Sequence, residues 1–336
     1  MTNPVLVEAF RGALAESRHR GAVAVADADG TTVLALGDVE RPIYPRSAVK
    51  ALQALTLIES GAAERFGLGD EDLALACASH GGEPAHVAGV ARMLGAAGLD
   101  PDALECGAHW PMHQPSAQAL ARSGATATAL HNNCSGKHAG FLCAACAMAL
   151  PHRGYVAPAH PVQREVKATL ENFAGIALDD ERRAVDGCSV PTWAIPLRSL
   201  AFAFARFGTG RGLPPARAAA AARLRAACAA KPWFVAGTNR FCSEIMGRFG
   251  ARVLVKTGAE GTFCGALPER GLGMAIKCDD GAGRAGEAMM AATIVRFLAL
   301  DPPDRIFCDR FVRPTLRNWN GIDIGALRPT AALTGE

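Results

Sequence analysis

Lysine is scarce in this chain. Of its 35 basic residues only six are lysine, against 29 arginines, a bias that its Ala- and Arg-rich composition explains. The lysines that remain, Lys50, Lys137, Lys167, Lys231, Lys256 and Lys277, are therefore informative, and three of them stand among Gly, Ser, Cys and Thr. A long apolar run is lacking too. The longest, Gly140 to Leu150, stops at Pro151 and is too short to span a bilayer. No apolar core follows Met1, so no secretory signal is read and a cytoplasmic location is expected. Charge of one sign is not in excess: the net charge of +3 over 336 residues implies neither nucleic-acid nor membrane partners. Eleven cysteines, an odd number without an export signal, point to a reducing compartment and free thiols, some of them able to hold metal.

No internal repeat or long linker divides the chain, and one compact unit is expected over residues 1–336. Val5–Ser17 has the mixed apolar and charged pattern of a surface helix. Ala22–Asp38 reads as two β-prone runs split at Asp27–Gly30, a hairpin. A helix is expected from Ser47, its N-cap, to a stop at Gly61, with Val49, Leu52, Leu55 and Leu57 facing inward. The middle is mostly helical. Three short β-prone runs follow from Ala251 to Gly281, and a terminal helix follows from Gly283. The pattern predicts an α/β (α+β) fold, its antiparallel sheet assembled from both chain ends (residues 1–45 and 245–336) and flanked by helices, with a helical region over residues 46–244.

Ser47 and Lys50 form Ser-x-x-Lys, which on a helix places both side chains on one face. A serine hydroxyl needs an adjacent base to act as a nucleophile, and lysine can be that base. The alternative is a capping serine followed by a surface lysine. Lys256-Thr257-Gly258, after a β-run, favours the chemical reading, because Ser-x-x-Lys early and Lys-Thr-Gly late is the pairing of serine β-lactamases and penicillin-binding proteins. The backbone N–H groups of Ser47 and Ala259 are candidates for an oxyanion hole. The Ser-Asp-Asn element of class A β-lactamases is absent, which argues against penicillin chemistry.

Ser79 and His80 stand together in a Gly-rich loop, either as a hydroxyl relay or as a turn serine beside a structural histidine. His131–Gly140 clusters Asn, Cys, Ser, Lys and His. Cys134 there and Cys188 beside Asp186 are half of a zinc site, with Lys137, His138 or Asp186 as further ligands, or else they are buried thiols. Cys143 and Cys146 match C-x-x-C, but their apolar surroundings make them helix core.

Together these motifs resemble the rhizobial-type L-asparaginases. The resemblance rests on Pro45–Lys50, Ala78–Gly81, His131–His138, Asp186–Cys188, Val235–Gly237, Lys256–Gly261 and Gly273–Arg284, in order and over nearly the whole chain. It implies a β-lactamase-like fold, a homodimer, and hydrolysis of L-asparagine to aspartate and ammonia. It implies two Ser–Lys pairs, Ser47 with Lys50 and Ser79 with Lys256, and a zinc held by Cys134, Lys137 and Cys188. Arg46, His80, His138, Asp186 and Glu260 are the residues expected to bind substrate, Arg46 at its α-carboxylate and Glu260 at its α-ammonium. One position departs from the pattern: Ser189 follows Cys188 where the family is expected to favour glycine. A β-lactamase-like esterase or peptidase, a glutaminase, and a non-enzymatic zinc or thiol protein are the competing readings.

Overall fold

A computed structural model describes residues 2–335, which form two compact units. The first comprises residues 2–48, 195–209 and 255–335, and the second residues 49–194 and 210–254. Among the described residues no helix is long and apolar enough to cross a membrane.

An eight-stranded sheet organises the first unit. Its strands are β1 (Val5–Arg11), β2 (Leu14–Asp27), β3 (Thr32–Leu36), β4 (Leu254–Thr257), β5 (Thr262–Leu267), β6 (Leu272–Cys278), β7 (Thr315–Arg317) and β8 (Asp323–Pro329). They lie in the order β7-β8-β1-β2-β6-β5-β4, and β3 pairs with β2. The expected sheet from both chain ends therefore forms, and β2 and β6 are its seam, antiparallel from Leu272 opposite Asp27 to Cys278 opposite Gly21. β2 can serve two neighbours because it is 14 residues long: its first half pairs with β1, its second with β6 and β3. Gly21 marks the change, where a Cβ would lie 2.5 Å from the Lys277 carbonyl oxygen.

Both faces of the sheet are covered. Gly273 and Ala266 are paired and share a face, and the helix Leu197–Thr209 lies on it so closely that a Cβ on Gly273 would stand 2.0 Å from the Ala201 carbonyl oxygen. Ile276 and Phe263, also paired, point the other way, towards the helix Gly283–Phe297, where Gly286 rests on the Phe263 ring.

Three local expectations are corrected. Val5–Ser17 is not a helix but β1 and the start of β2, turned at Gly12 with φ +56°. Its mixed pattern fits a helix locally, but pairing with β8, more than 300 residues away, decides it. Nor does one helix run from Ser47. A 3₁₀ turn, Arg46–Val49, leads into short helices Lys50–Gln53 and Leu55–Glu59. Ser47 lies inside that turn and is no N-cap; Ala48 N–H donates to Pro45 at 3.0 Å, and Arg46 takes a left-handed φ of +52°. The inward face holds, since Val49, Leu52, Leu55 and Leu57 are all buried, and Gly61 ends the segment at φ +74°. The helix at Gly283 forms but is not terminal: a helix Pro302–Val312 and the strands β7 and β8 follow.

The second unit is helical, with two short strands Arg183–Val185 and Pro191–Trp193 paired as a flap. At its centre the helix Ser135–Ala147 is buried from Ser135 to Ala145. A helix apolar on all sides belongs inside a bundle. It meets the helix Asp70–Ala76 at Gly136, where a Cβ would lie 2.3 Å from the Leu75 carbonyl oxygen.

Gly273→Val should lower stability by about 3 kcal/mol or more, because the helix above it has no room to move. Gly95→Ala, on an exposed helix position with nothing within 4 Å, should raise it by up to about 1 kcal/mol. Denaturant midpoints measure both; an unaffected Gly273→Val protein would show that helix and sheet are not in this contact.

Candidate active site

In the second unit the core closes around two lysines and two thiols. Lys50 is fully buried at the start of its short helix. Its ammonium donates to Ala78 O at 2.5 Å, to Ser79 Oγ at 3.0 Å and to Cys134 Sγ at 3.1 Å. Lys137, 2% exposed, donates to Cys188 Sγ at 3.0 Å and lies 5.8 Å from the centre of the Phe141 ring. The central helix places Lys137 one turn in from Cys134, which stands at its N-cap with its N–H on Asn132 Oδ1 at 2.8 Å. Cys188 comes from the loop after the strand Arg183–Val185. Asp186 N–H donates to Val190, Ser189 N–H donates back to Asp186, and Ser189 has φ +75°. That left-handed turn explains why glycine is the expected residue there; the serine bears the strain.

The cluster's electrostatics follow from this packing. The Cys188 hydrogen bond, with Lys50 and Lys137 nearby, holds Cys134 well below the usual thiol range despite burial. Its bond to Cys134, reinforced by burial, pushes Cys188 up. The packing thus favours the thiolate at Cys134 and the thiol at Cys188. Burial pulls Lys137 down, but Cys188, Cys134 and Asp186 outweigh it, so the ammonium is favoured. The residues fit a soft dication: two buried sulfurs and an amine are in contact, and His138 Nε2, on the same helix, is buried without a hydrogen-bond partner.

Both histidines expected to bind substrate make hydrogen bonds within the protein. His80 Nδ1 accepts from Gly82 N–H at 3.1 Å, so its Nε2–H donates to Ser135 Oγ at 2.9 Å, which in turn donates to Leu130 O. Burial above all, then His86 and Lys50, keep it neutral. His80 therefore orients the Ser79 loop, which is also fixed by Ser79 N–H to Val235 O at 2.9 Å. His138 Nδ1 is bonded to Tyr155 Oη at 2.7 Å. Asp186 is half-buried.

Glu83, which the motifs did not single out, stands against the Gly81 backbone in the Ser79 loop. Its carboxylate, 6% exposed, accepts from Thr238 N–H at 2.9 Å and Thr238 Oγ1 at 2.7 Å, and lies 3.6 Å from His113 Nδ1. A Cβ on Gly237, at φ +108°, would come within 2.4 Å of it. Gly237 belongs to the Val235–Gly237 motif that carries the resemblance, and Glu83 lies just beyond the Ala78–Gly81 motif.

In the first unit, Ser47 is half-buried in its 3₁₀ turn, and the end of β4 packs on that turn. A Cβ on Gly258 would lie 2.6 Å from Pro45 O and 3.2 Å from Ala48 N, so only glycine lets Lys256-Thr257-Gly258 approach Ser47 this closely. Lys256 is 2% exposed, and its ammonium donates to Thr257 O at 2.9 Å. Glu260 is exposed on the following turn with φ +56°. Arg46 is half-buried. His19 is buried, with Nδ1 at 2.6 Å from Asp280.

The profile of the L-asparaginase II family matches residues 7–329. Among curated proteins none matches the sequence. Among solved structures the chain is similar to Mglu in its native form, at TM-score 0.42 and 14% identity, over 92% of this chain; it spans 64% of the length of Mglu. It is also similar to a β-lactamase from Mycobacterium bovis, at TM-score 0.41 and 15% identity, over 83% of this chain and 95% of that one.

Asp280 supplies a pH test of the first unit. Burial works against its carboxylate, but the Cys278 thiol, the Ala282 N–H and His19 bring its pKa down to about 2. The pKa of a folded-state carboxylate lowered in this way stabilises the fold fully above the unfolded value of about 3.9, and that stability is lost as pH falls towards 2. The stability difference between wild type and Asp280→Asn should therefore be constant above pH 5 and shrink progressively below pH 4. A difference that does not change with pH would remove this carboxylate from the acid response.

Proposed function

Because the chain belongs to the L-asparaginase II family, we propose that it hydrolyses the side-chain amide of L-asparagine to L-aspartate and ammonia through an acyl-enzyme on Ser47. The observation that supports this reading is the fit of Gly258 against the Pro45–Ala48 turn, which sets the Lys-Thr-Gly strand beside a serine whose turn runs directly into Lys50. Ser47 Oγ attacks the amide carbon, and its proton passes to Lys50, whose ammonium must first give up a proton to act as the base. The backbone N–H groups of Ser47 and Ala259 hold the oxyanion. The leaving nitrogen receives a proton by way of Ser79 and Lys256 and departs as ammonia. Water then attacks the aspartyl ester, giving one proton back to Lys256 by way of Ser79, while Lys50 returns its proton to Ser47 Oγ as the ester bond breaks. Glu260 receives the substrate α-ammonium and Arg46 its α-carboxylate, while His80, His138 and Asp186 shape the surrounding loops. The same reading makes the protein a cytoplasmic homodimer, with a solution mass twice the chain's 34.9 kDa.

One observation favours a second assignment of the nucleophile: Lys50 donates a hydrogen bond to the hydroxyl of Ser79 at 3.0 Å. Ser47→Ala should lower turnover about 10³-fold or more while remaining folded, and intact-mass analysis of rapidly quenched wild type should place the aspartyl group on the peptide carrying Ser47. A folded Ser47→Ala protein with normal turnover, beside an inactive Ser79→Ala, would transfer the nucleophile to Ser79. Ammonia release from asparagine, glutamine and an ester panel separates asparaginase from glutaminase and esterase.

Cys134, Lys137 and Cys188 would hold the zinc that the resemblance implies. Bound there, zinc supplies a fixed positive charge that stabilises both thiolates and the neutral amine of Lys137. Close to one zinc per chain is expected in wild type and none in a Cys134→Ala, Cys188→Ala double variant, measured by metal analysis. Equal zinc in both proteins, or none in wild type after titration, would dismiss this site.

A further inference from the structure

Lys277 takes no part in the reaction as drawn, yet it is one of the six lysines and falls in a motif that carries the family resemblance. It lies near the end of β6, a central strand with β2 on one side and β5 on the other. Every other residue of that strand, Leu272 to Cys278, is buried. Guarding a sheet edge, a common use of strand lysines, does not apply to an inner strand.

Its ammonium spans two turns. One bond goes to the Glu260 carbonyl, in the turn between β4 and β5; the other, 2.7 Å, goes to the Cys278 carbonyl, which opens the turn after β6. The two turns are also stacked through the backbone: Cys278 N–H donates to Gly261 at 2.9 Å, and Gly281 N–H donates to Cys278 at 3.2 Å. The upper turn needs such support. Glu260 and Gly261 are consecutive left-handed residues, at φ +56° and +65°, and Glu260 has a side chain that disfavours this conformation. The Glu260 carboxylate lies across the lower turn, since a Cβ on Gly281 would stand 2.7 Å from Glu260 Oε2. All these groups belong to the first unit.

We propose that Lys277 is a positioning residue: by tying the Gly258–Gly261 turn to the turn after β6, it holds Glu260 in its strained conformation and so presents the carboxylate to the α-ammonium of the substrate. The specificity part of this role rests on the assignment of Glu260 made above. Lys277 touches no reacting atom, and its loss should weaken recognition of the amino group and leave the acyl transfer itself intact.

The test compares Lys277→Met, Lys277→Arg, Glu260→Gln and the Lys277→Met, Glu260→Gln double variant in the full-length protein. Asparagine and succinamate, the same amide without the α-amino group, are the substrates. Lys277→Met should raise KM for asparagine about tenfold or more, as loss of a charged contact does, with kcat within about threefold and succinamate hydrolysis unchanged. The double variant should be no worse than Glu260→Gln alone, and Lys277→Arg, which keeps charge and donors, should recover most of the loss. Hydrogen exchange reads the clamp without substrate: amides of residues 258–262 should exchange faster in Lys277→Met, while β2 and β6 stay protected. Unchanged exchange in that turn overturns the clamp, and equal losses on both substrates, or losses additive with Glu260→Gln, overturn its role in specificity. Should Lys277→Met fail to fold, the arginine variant carries the same exchange comparison, in which restored protection supports the clamp and exposed turn amides overturn it. If Glu260→Gln leaves the asparagine KM unchanged while the exchange result holds, the assignment of Glu260 fails and the clamp stands.

Discussion

The second unit is built around an unusual burden: two lysine ammonium groups enclosed in a helical core. An unpaired buried cation would cost far more than the marginal stability of a fold, so each must be met by acceptors within reach. Lys50 is met by a carbonyl, a hydroxyl and a sulfur, and Lys137 by a sulfur and an aromatic face. The packing that favours the thiolate at Cys134 offsets part of this burden. Much of the surrounding structure can be read as support for that arrangement. The central helix brings Cys134 and Lys137 in from one end, Gly136 allows it to sit hard against the neighbouring helix, and the strained Ser189 turn delivers Cys188 from a separate loop.

The first unit meets a different constraint by similar means. Its sheet is covered on both faces, and close approach is obtained by removing side chains: Gly273 under one helix, Gly286 under the other, Gly258 against the Ser47 turn. The last of these links fold to chemistry. A larger residue after Lys256-Thr257 would hold the strand away from the serine turn, whatever the identity of the residues at either end. Membership of the L-asparaginase II family gives these contacts their setting, and the proposed acyl transfer gives them a use.

Much of this was legible in the chain order of residues. Hydrophobic periodicity located the hairpin after Gly21, the three late strands, the helical middle and the inward face of the segment after Ser47, because each depends on neighbours a few residues apart. Motif spacing picked out Lys50, Ser79, Cys134, Lys137, Cys188 and Lys256, all chemically reactive types in contexts that solvated side chains rarely occupy. A scarcity of lysine made those positions easier to see. The expectation of glycine at Ser189 came from the family resemblance, and the left-handed turn there supplies its physical reason.

What the sequence determined by itself, then, was the family, the inventory of reactive groups and the elements set by short-range pattern. Only the tertiary structure decided how those groups are used. Val5–Ser17 became strand because β8 pairs with it from the far end of the chain, a contact no local pattern encodes. The helix expected from Ser47 opened as a 3₁₀ turn because Pro45, Arg46 and the approach of Gly258 shape it from outside. Lys50 was matched to Ser79, Glu83 to Thr238 and Lys277 to the Glu260 turn by folding across distances of 17 to 155 residues. Hydrogen bonds and charge pairing act over a few ångströms of space, whereas sequence patterns report only a few residues of chain, and those two neighbourhoods coincide only within single helices and turns.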